Sequence, residues 1–261
     1  MSSQSGASSA YRRIAAACLL GSAILLAGCG KQPDLDNLTT GSTQPASMKD
    51  VVALGEKYEA DPDNLKVGLA YAAQLKAMGR QQQQFEVYKG LLAKHSSDGK
   101  LLNIYGKELL QAGQAADAAT LLEQAVKTKN ADWRTYSALG SACDQLGRNE
   151  QARQYYSQAL ALSPGEVTVL NNLGMSYALQ GDLPKAEETL KEASKTPKGS
   201  QDTRLRQNLA LVVGLQGRFD EARTIASADL PPEQVDANMA YLQHMLSQPN
   251  PWQKLKPATE G

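Results

Sequence analysis

Chemistry needs titratable or nucleophilic side chains that can converge, and here the candidates are few: His95, His244 and the cysteines Cys18, Cys29 and Cys143. The histidines stand near the end of one helical unit and in the last helix, too far apart in a linear stack to meet. No GxxxxGK[ST] phosphate loop, GxSxG elbow, HExxH pair or CxxC pair occurs. The carboxylates stand singly, and the glutamine run at 81–84 and the pair Glu187, Glu188 read as solvated helix faces. Nothing marks a catalytic centre, a metal or cofactor site, or a pocket for a small-molecule substrate. The expectation is a protein that is not an enzyme.

One cysteine does sit in a chemical setting. Arg12 and Arg13 precede an apolar run at 14–27, too short at 1.5 Å per residue to cross about 30 Å of hydrocarbon. This is the pattern of a signal-peptide core. It ends in Leu26, Ala27, Gly28 and Cys29, which resembles the bacterial lipobox: small residues suit a peptidase pocket, and the thiol is the one nucleophile able to accept a diacylglyceryl group. Residues 1–28 are therefore expected to be a lipoprotein signal peptide and Cys29 the lipidated residue. More than one acyl chain gives stable anchoring, so no transmembrane helix is needed. Gly30 follows the cysteine where Asp is associated with inner-membrane retention, and the resemblance implies the periplasmic face of the outer membrane. Residues 29–46, with Pro33, Pro45 and many small polar side chains, read as the lipidated cysteine and a flexible tether, able to hold the folded part roughly 20 Å from the membrane.

Basic and acidic side chains number 27 each, and removing the leader takes away Arg12 and Arg13 with no acid, so nothing favours nucleic acid. Cys143 is alone in the body, which excludes an intramolecular disulfide framework. It falls on an apolar helix face and reads as a small core residue. Aromatics are only 5% of the chain while Ala, Leu and Gln recur, a composition for closely packed helices.

The elements that must carry any binding surface follow from a repeat. Gly79, Gly113, Gly147 and Gly181 are evenly spaced in the phrases AMGRQQQQ, QAGQAADA, QLGRNEQA and LQGDLPKA, and LQGRFDEA follows at Gly217 after a two-residue slip. A period of 34 residues resembles that of tetratricopeptide repeats (TPR). In the unit 133–166, Leu139, Gly140 and Cys143 stand where that family places Leu, Gly and Tyr. Ala152, Tyr156 and Ala159 stand where it places Ala, an aromatic and Ala, and Pro164 closes the unit. Gly140 and Ala152 allow close helix approach, with Tyr156 filling space between hairpins. Units 167–202 and 99–132 repeat the pattern. Unit 65–98 carries Gln84 in place of a close-packing alanine, and unit 203–230 loses register at Ala226 and Asp229. Ser47 to Asp50 resemble a capping box opening a helix at 47–61, and 233–247 read as a closing amphipathic helix. The TPR domain is thus 47–247. The insert 195–201 is expected to bulge as a plain loop, and 248–261 to form a flexible tail. The fold class is all-α, a right-handed TPR superhelix of about five hairpins with flanking helices.

The resemblance implies that the first helix of each hairpin lines a concave groove through its second, fifth, ninth, twelfth and thirteenth residues. The second place holds Lys66, Lys100, Arg134, Thr168 and Arg204; the fifth holds Leu69, Asn103, Ser137, Asn171 and Gln207. The amides suit the backbone of an extended peptide and the basic row suits its carboxylates. A cation near a helix N-terminus opposes the macrodipole, so the row needs a further reason to be there. Met175, Leu179, Leu211 and Leu215 are expected to make the C-terminal part of the groove apolar.

A lipobox followed by five TPR units resembles two groups of pilus lipoproteins. The nearer is the TadD lipoproteins of Tad (Flp) pilus assembly, on Asn208 to Arg218, Asp229 with Leu230, and Asn238 to Leu242; more distant are the secretin pilotins of type IV pili. The resemblance implies a protein-binding adaptor that helps a secretin or other pilus component reach or assemble in the outer membrane. A general envelope TPR lipoprotein, scaffolding cell-wall enzymes or outer-membrane protein assembly, stays open beside it.

Overall fold

The computed structural model describes residues 48–248, and all their regular structure is helical. They form two compact units, 48–131 and 132–248. In the first, α1 (Met48–Ala60) packs on α2 (Leu65–Ala77), which pairs with α3 (Gln81–Lys94); α4 (Gly99–Gln111) pairs with α5 (Ala115–Ala125). In the second, the hairpins are α6 (Trp133–Gln145) with α7 (Asn149–Leu162), α8 (Val167–Gln180) with α9 (Leu183–Ser194), and α10 (Thr203–Leu215) with α11 (Phe219–Ala226). Helix α12 (Pro232–Ser247) packs on α10 and α11. The leader, Cys29, the tether, Ser47 and the tail beyond Gln248 lie outside the described residues.

Local sequence dictates both ends of each inner helix. The glycines of the repeat, from Gly79 to Gly217, all have φ between 70° and 91°, the left-handed region a helix enters as it ends and one that costs a residue with a Cβ about 1 kcal/mol. The starts are set by a second periodic signal. Asn64, Asp98, Asp132, Glu166 and Asp202 are N-caps whose side chains accept from the backbone N–H of Val67, Leu101, Thr135, Thr168 and Leu205.

Within a hairpin, contact is set by size complementarity. A Cβ on Gly140 would lie 2.6 Å from the Tyr156 ring, and one on Gly174 would lie 2.7 Å from Leu190. Both large partners are at most 1% exposed. Tyr156 therefore seals its own hairpin, rather than only the space between hairpins, because Gly140 leaves the ring its room. Cys143 is fully buried, as its apolar face suggested, and donates to Gln151 Oε1 at 3.7 Å.

Departures from the repeat pattern are tied down by polar bonds. Gln84, 1% exposed, donates to Glu108 Oε2 at 3.2 Å and to the Tyr88 hydroxyl at 3.4 Å, so an amide occupies an alanine's place without an unmet polar group. The insert 195–201 does not bulge freely. Its end forms a 3-10 turn, Gly199–Gln201, with Gly199 buried so tightly that a Cβ would collide with the Ala193 carbonyl. Arg206 then donates to the Ser200 carbonyl. The short α11 is compensated by Arg206 Nε and Nη2, which grip Asp229 at 2.8 and 2.6 Å. At the end, Val235, Met239 and Leu242 of α12 are buried, with Leu242 seated over Gly214.

Candidate partner-binding groove

In the unit 48–131, Lys66 and Lys100 are exposed and Leu69 is half-buried. Asn103 is half-buried, and its Oδ1 is buried with no hydrogen-bond partner. Between α2 and α4, Lys76 Nζ reaches Glu108 at 2.6 Å and Gln111 at 3.0 Å. Of the sequence-read groove residues here, the two lysines are open to solvent, whereas the Asn103 Oδ1 is shut away from it.

In the unit 132–248 the inner helices are joined by a polar row. Ser137, Ser141 and Asp144 lie on one face of α6, spaced three and four residues apart. Asn172 Nδ2 donates to Ser137 Oγ and Ser141 Oγ at 3.4 Å each, and Ser176 Oγ donates to Asp144 Oδ1 at 2.7 Å. Asp144, 8% exposed, also accepts from Asn149 Nδ2 at 2.8 Å and from the Tyr156 hydroxyl at 3.0 Å. Burial pushes the Asp144 carboxyl up, with the Asn149, Ser176 and Tyr156 donors acting against it. Burial also raises the Tyr156 hydroxyl, and the Asp144 charge adds to it.

The sequence-read residues of this unit divide. Arg204 is exposed. Arg134 is half-buried, its guanidinium 3.2 Å from Asp132 and 4.6 Å from the centre of the Trp133 ring. The basic row thus has a local cause: Lys100, Arg134 and Arg204 each stand two residues after an N-cap aspartate, which offsets the opposition to the helix dipole. Asn171 is 6% exposed and its Oδ1 is taken by Asn208 at 2.8 Å; Gln207 is drawn to Asp229 Oδ2 at 3.3 Å. Both amides join parts of the fold rather than standing open.

The expected apolar strip is corrected as well. Leu215 is 6% exposed and belongs to the core, while Met175 and Leu211 are half-buried and pack against that core. Leu179 is half-buried. Leu215 shares its core cluster with Val235, Met239 and Leu242 of α12, which packs on α10.

Asp144 and the N-cap series were not singled out from the sequence. The caps carried a signal, since Asn, Asp or Glu recurs at the residue before each inner helix. Asp144 carried only a weak one: an acid in a helix otherwise low in charge.

Glu187 staples α9 to the turn after α10. It accepts from Gln216 Nε2 at 2.7 Å, pairs with Lys191 at 2.6 Å, and is gripped by Arg218. The Arg218 guanidinium is the main reason its carboxyl is held down to about 2. A carboxyl depressed on folding contributes stability above its unfolded value, and that contribution fades as pH falls through the folded value. Glu187→Gln should therefore cost about 1 kcal/mol at neutral pH, discounted for the half-exposed Arg218. The gap between the two melting curves should close by about pH 2. A gap that is unchanged at the lowest pH would assign the loss to packing.

Among the described residues no group of three or more His, Cys, Asp and Glu is placed to hold a metal, and no helix is long and apolar enough to cross a membrane. His95 Nε2 lies 2.7 Å from the Asp63 carbonyl, while His244 lies near Gln248 in the other unit. A shallow, open depression is lined by Gly147, Arg148, Asn149, Glu150, Gln151, Gln154 and Gln180.

Models of the tetratricopeptide repeat match residues 106–167, 138–200 and 204–228. The chain has the tetratricopeptide-repeat fold. Solved structures with the same repeats include PilW, described as a widely conserved type IV pilus biogenesis factor. It is 17% identical, with TM-score 0.61 over 76% of this chain and 90% of that one. The pilF protein of Pseudomonas aeruginosa is 17% identical, with TM-score 0.55 over 94% of each chain. YrrB, a TPR protein with an unusual peptide-binding site, is 15% identical, with TM-score 0.55 over 76% of this chain and all of that one. At these identities the likeness is one of fold. No curated protein is significantly similar to the chain in sequence. The polar row of α6 and α8 in one unit and, separately, the exposed lysines of α2 and α4 in the other are the candidate partner contacts.

Proposed function

We propose that the chain is a lipid-anchored, protein-binding TPR adaptor on the periplasmic face of the outer membrane. In this reading it assists assembly or outer-membrane targeting of the secretin of a Tad (Flp) pilus. The observation that carries it is the joining of a LAGC sequence ending at Cys29 to an array of TPR hairpins. The fold is shared with PilW, described as a type IV pilus biogenesis factor, which supports the pilus setting.

The decisive experiment follows the secretin in the native host. With the chain deleted, secretin should fail to form multimers in the outer membrane and should collect in the inner-membrane fraction. Secretin multimers at the usual level and place would sink the pilus role. The anchor is tested separately: Cys29→Ser should leave an unlipidated precursor that no longer fractionates with the outer membrane. Unchanged sedimentation and gel mobility would refute lipidation at Cys29.

A further inference from the structure

Most charged side chains at the inner-helix junctions have a charged partner. Glu108 has Lys76, Glu187 has Lys191 and Arg218, and Asp229 has Arg206. Asp144 does not. Its three donors, Asn149, Tyr156 and Ser176, are all neutral, and no ammonium or guanidinium nitrogen of the described residues lies within 4.0 Å of it. The charge of Arg153 acts on it only through space: that guanidinium lies over the Tyr177 ring, 5.1 Å from its centre, and its Nη1 is buried with no hydrogen-bond partner. A buried carboxylate without a cation is costly, and neutral donors repay only part of that cost. Three of roughly four acceptor positions are filled, which leaves room for one further donor. The carboxylate lies in the row that α6 and α8 share, and the residue is 8% exposed.

We propose that Asp144 sets the specificity of the groove formed by α6 and α8, and that it selects a partner segment presenting a lysine or arginine side chain. This deepens the adaptor reading and rests on it. The selection is opposite in sign to the one the basic row suggests. Arg134 at the head of the same helix is already held by Asp132, so it is not free to take a partner's carboxylate. A cation brought there would make a charge-assisted hydrogen bond in a partly desolvated site, where such bonds are strongest. Ser137, Ser141, Asn171 and Asn172 bond to one another or to Asn208, which fixes the wall around the carboxylate and leaves that charge as the feature that discriminates.

The test uses a lysine side chain alone as the probe. In the full chain, the carboxyl-carbon resonance of Asp144 and the side-chain amide of Asn149 are followed by NMR during titration with N-acetyl-lysine methylamide. N-acetyl-norleucine methylamide at matched ionic strength is the control. A saturable shift with lysine alone is expected, together with a fall in the Asp144 titration midpoint of roughly one pH unit, the size expected for an adjacent opposite charge. Asp144→Asn should abolish the response. Equal responses to lysine and norleucine, no response to either, or a response that survives in Asp144→Asn would overturn the proposal. If the Asn variant does not fold, the lysine–norleucine comparison in the unaltered chain decides alone. The secretin experiment is independent: a chain that fails here while secretin still depends on it keeps its adaptor role and loses the charge selection.

Discussion

Gly140→Leu is expected to unfold the hairpin α6–α7 or to lower the melting transition of the chain steeply. The Cβ alone would lie 2.6 to 2.9 Å from three atoms of the Tyr156 ring, closer than carbon atoms in contact can approach. The ring cannot swing aside cheaply, because Tyr156 is 1% exposed and its hydroxyl is held by Asp144 at 3.0 Å and Ser141 at 3.2 Å. Relief means either parting two helices or breaking both bonds and leaving Asp144 short of a donor. Overpacking of a tight core costs typically 1 to 3 kcal/mol, and the lost hydrogen bonds add to it, so about 4 kcal/mol is expected. That corresponds to a fall in melting temperature of roughly 15 °C. Gly140→Ala, which adds only the Cβ, should fall between. Circular-dichroism melts of the three proteins are the measurement, and equal curves for wild type and the leucine variant would refute the packing.

The helical fold was open to reading because each repeat states it in the same few residues. The spaced glycines name the turn inside each hairpin, since an αL residue ends a helix wherever it falls. Close helix approach at Gly140 and Gly174 follows from the period, whereas the facing of Gly140 by Tyr156 and of Gly174 by Leu190 within one hairpin depends on side-chain packing that the period leaves open. What the period could not show is bonding between units. Asn171 and Gln207 look like free groove amides until Asn208 and Asp229 are brought beside them from the following unit or loop. Leu215 looks like a groove residue until α12 packs on its helix. Asp144 is the plainest case: its meaning depends on Asn149, Tyr156 and Ser176 arriving from two other helices and on no cation arriving with them.

The reading of the groove changes accordingly. Charges at the second places are spoken for by the helix caps where Asp132 meets Arg134, so they are weak evidence for an anionic partner. In the unit 132–248 the side chains shared by α6 and α8 are bonded to one another, so a partner at the proposed groove would gain affinity by adding a donor to Asp144 rather than by displacing existing hydrogen bonds. Replacing a bonded side chain would leave its partner unsatisfied, at a cost of 1 to 3 kcal/mol for each orphaned group.

The same complementarity can be tested as a coupling. Leu190 is fully buried and its Cγ and Cδ2 occupy the space above Gly174, where an added Cβ would lie 2.7 and 2.9 Å away. Leu190→Ala should cost about 3 kcal/mol, the transfer of a leucine side chain plus the cavity it leaves. Gly174→Ala should also cost, about 1 to 2 kcal/mol after its gain in helix propensity, because the new methyl meets Leu190 and the Ala186 carbonyl is 3.3 Å away on the other side. The double variant should be more stable than the sum of the two losses implies, by about 1 kcal/mol or more, since the methyl added at 174 enters the volume vacated at 190. Denaturant unfolding of the four proteins gives the coupling directly. Strict additivity would mean that the two side chains do not share one space, and the close approach of α8 and α9 at this point would then have to be withdrawn.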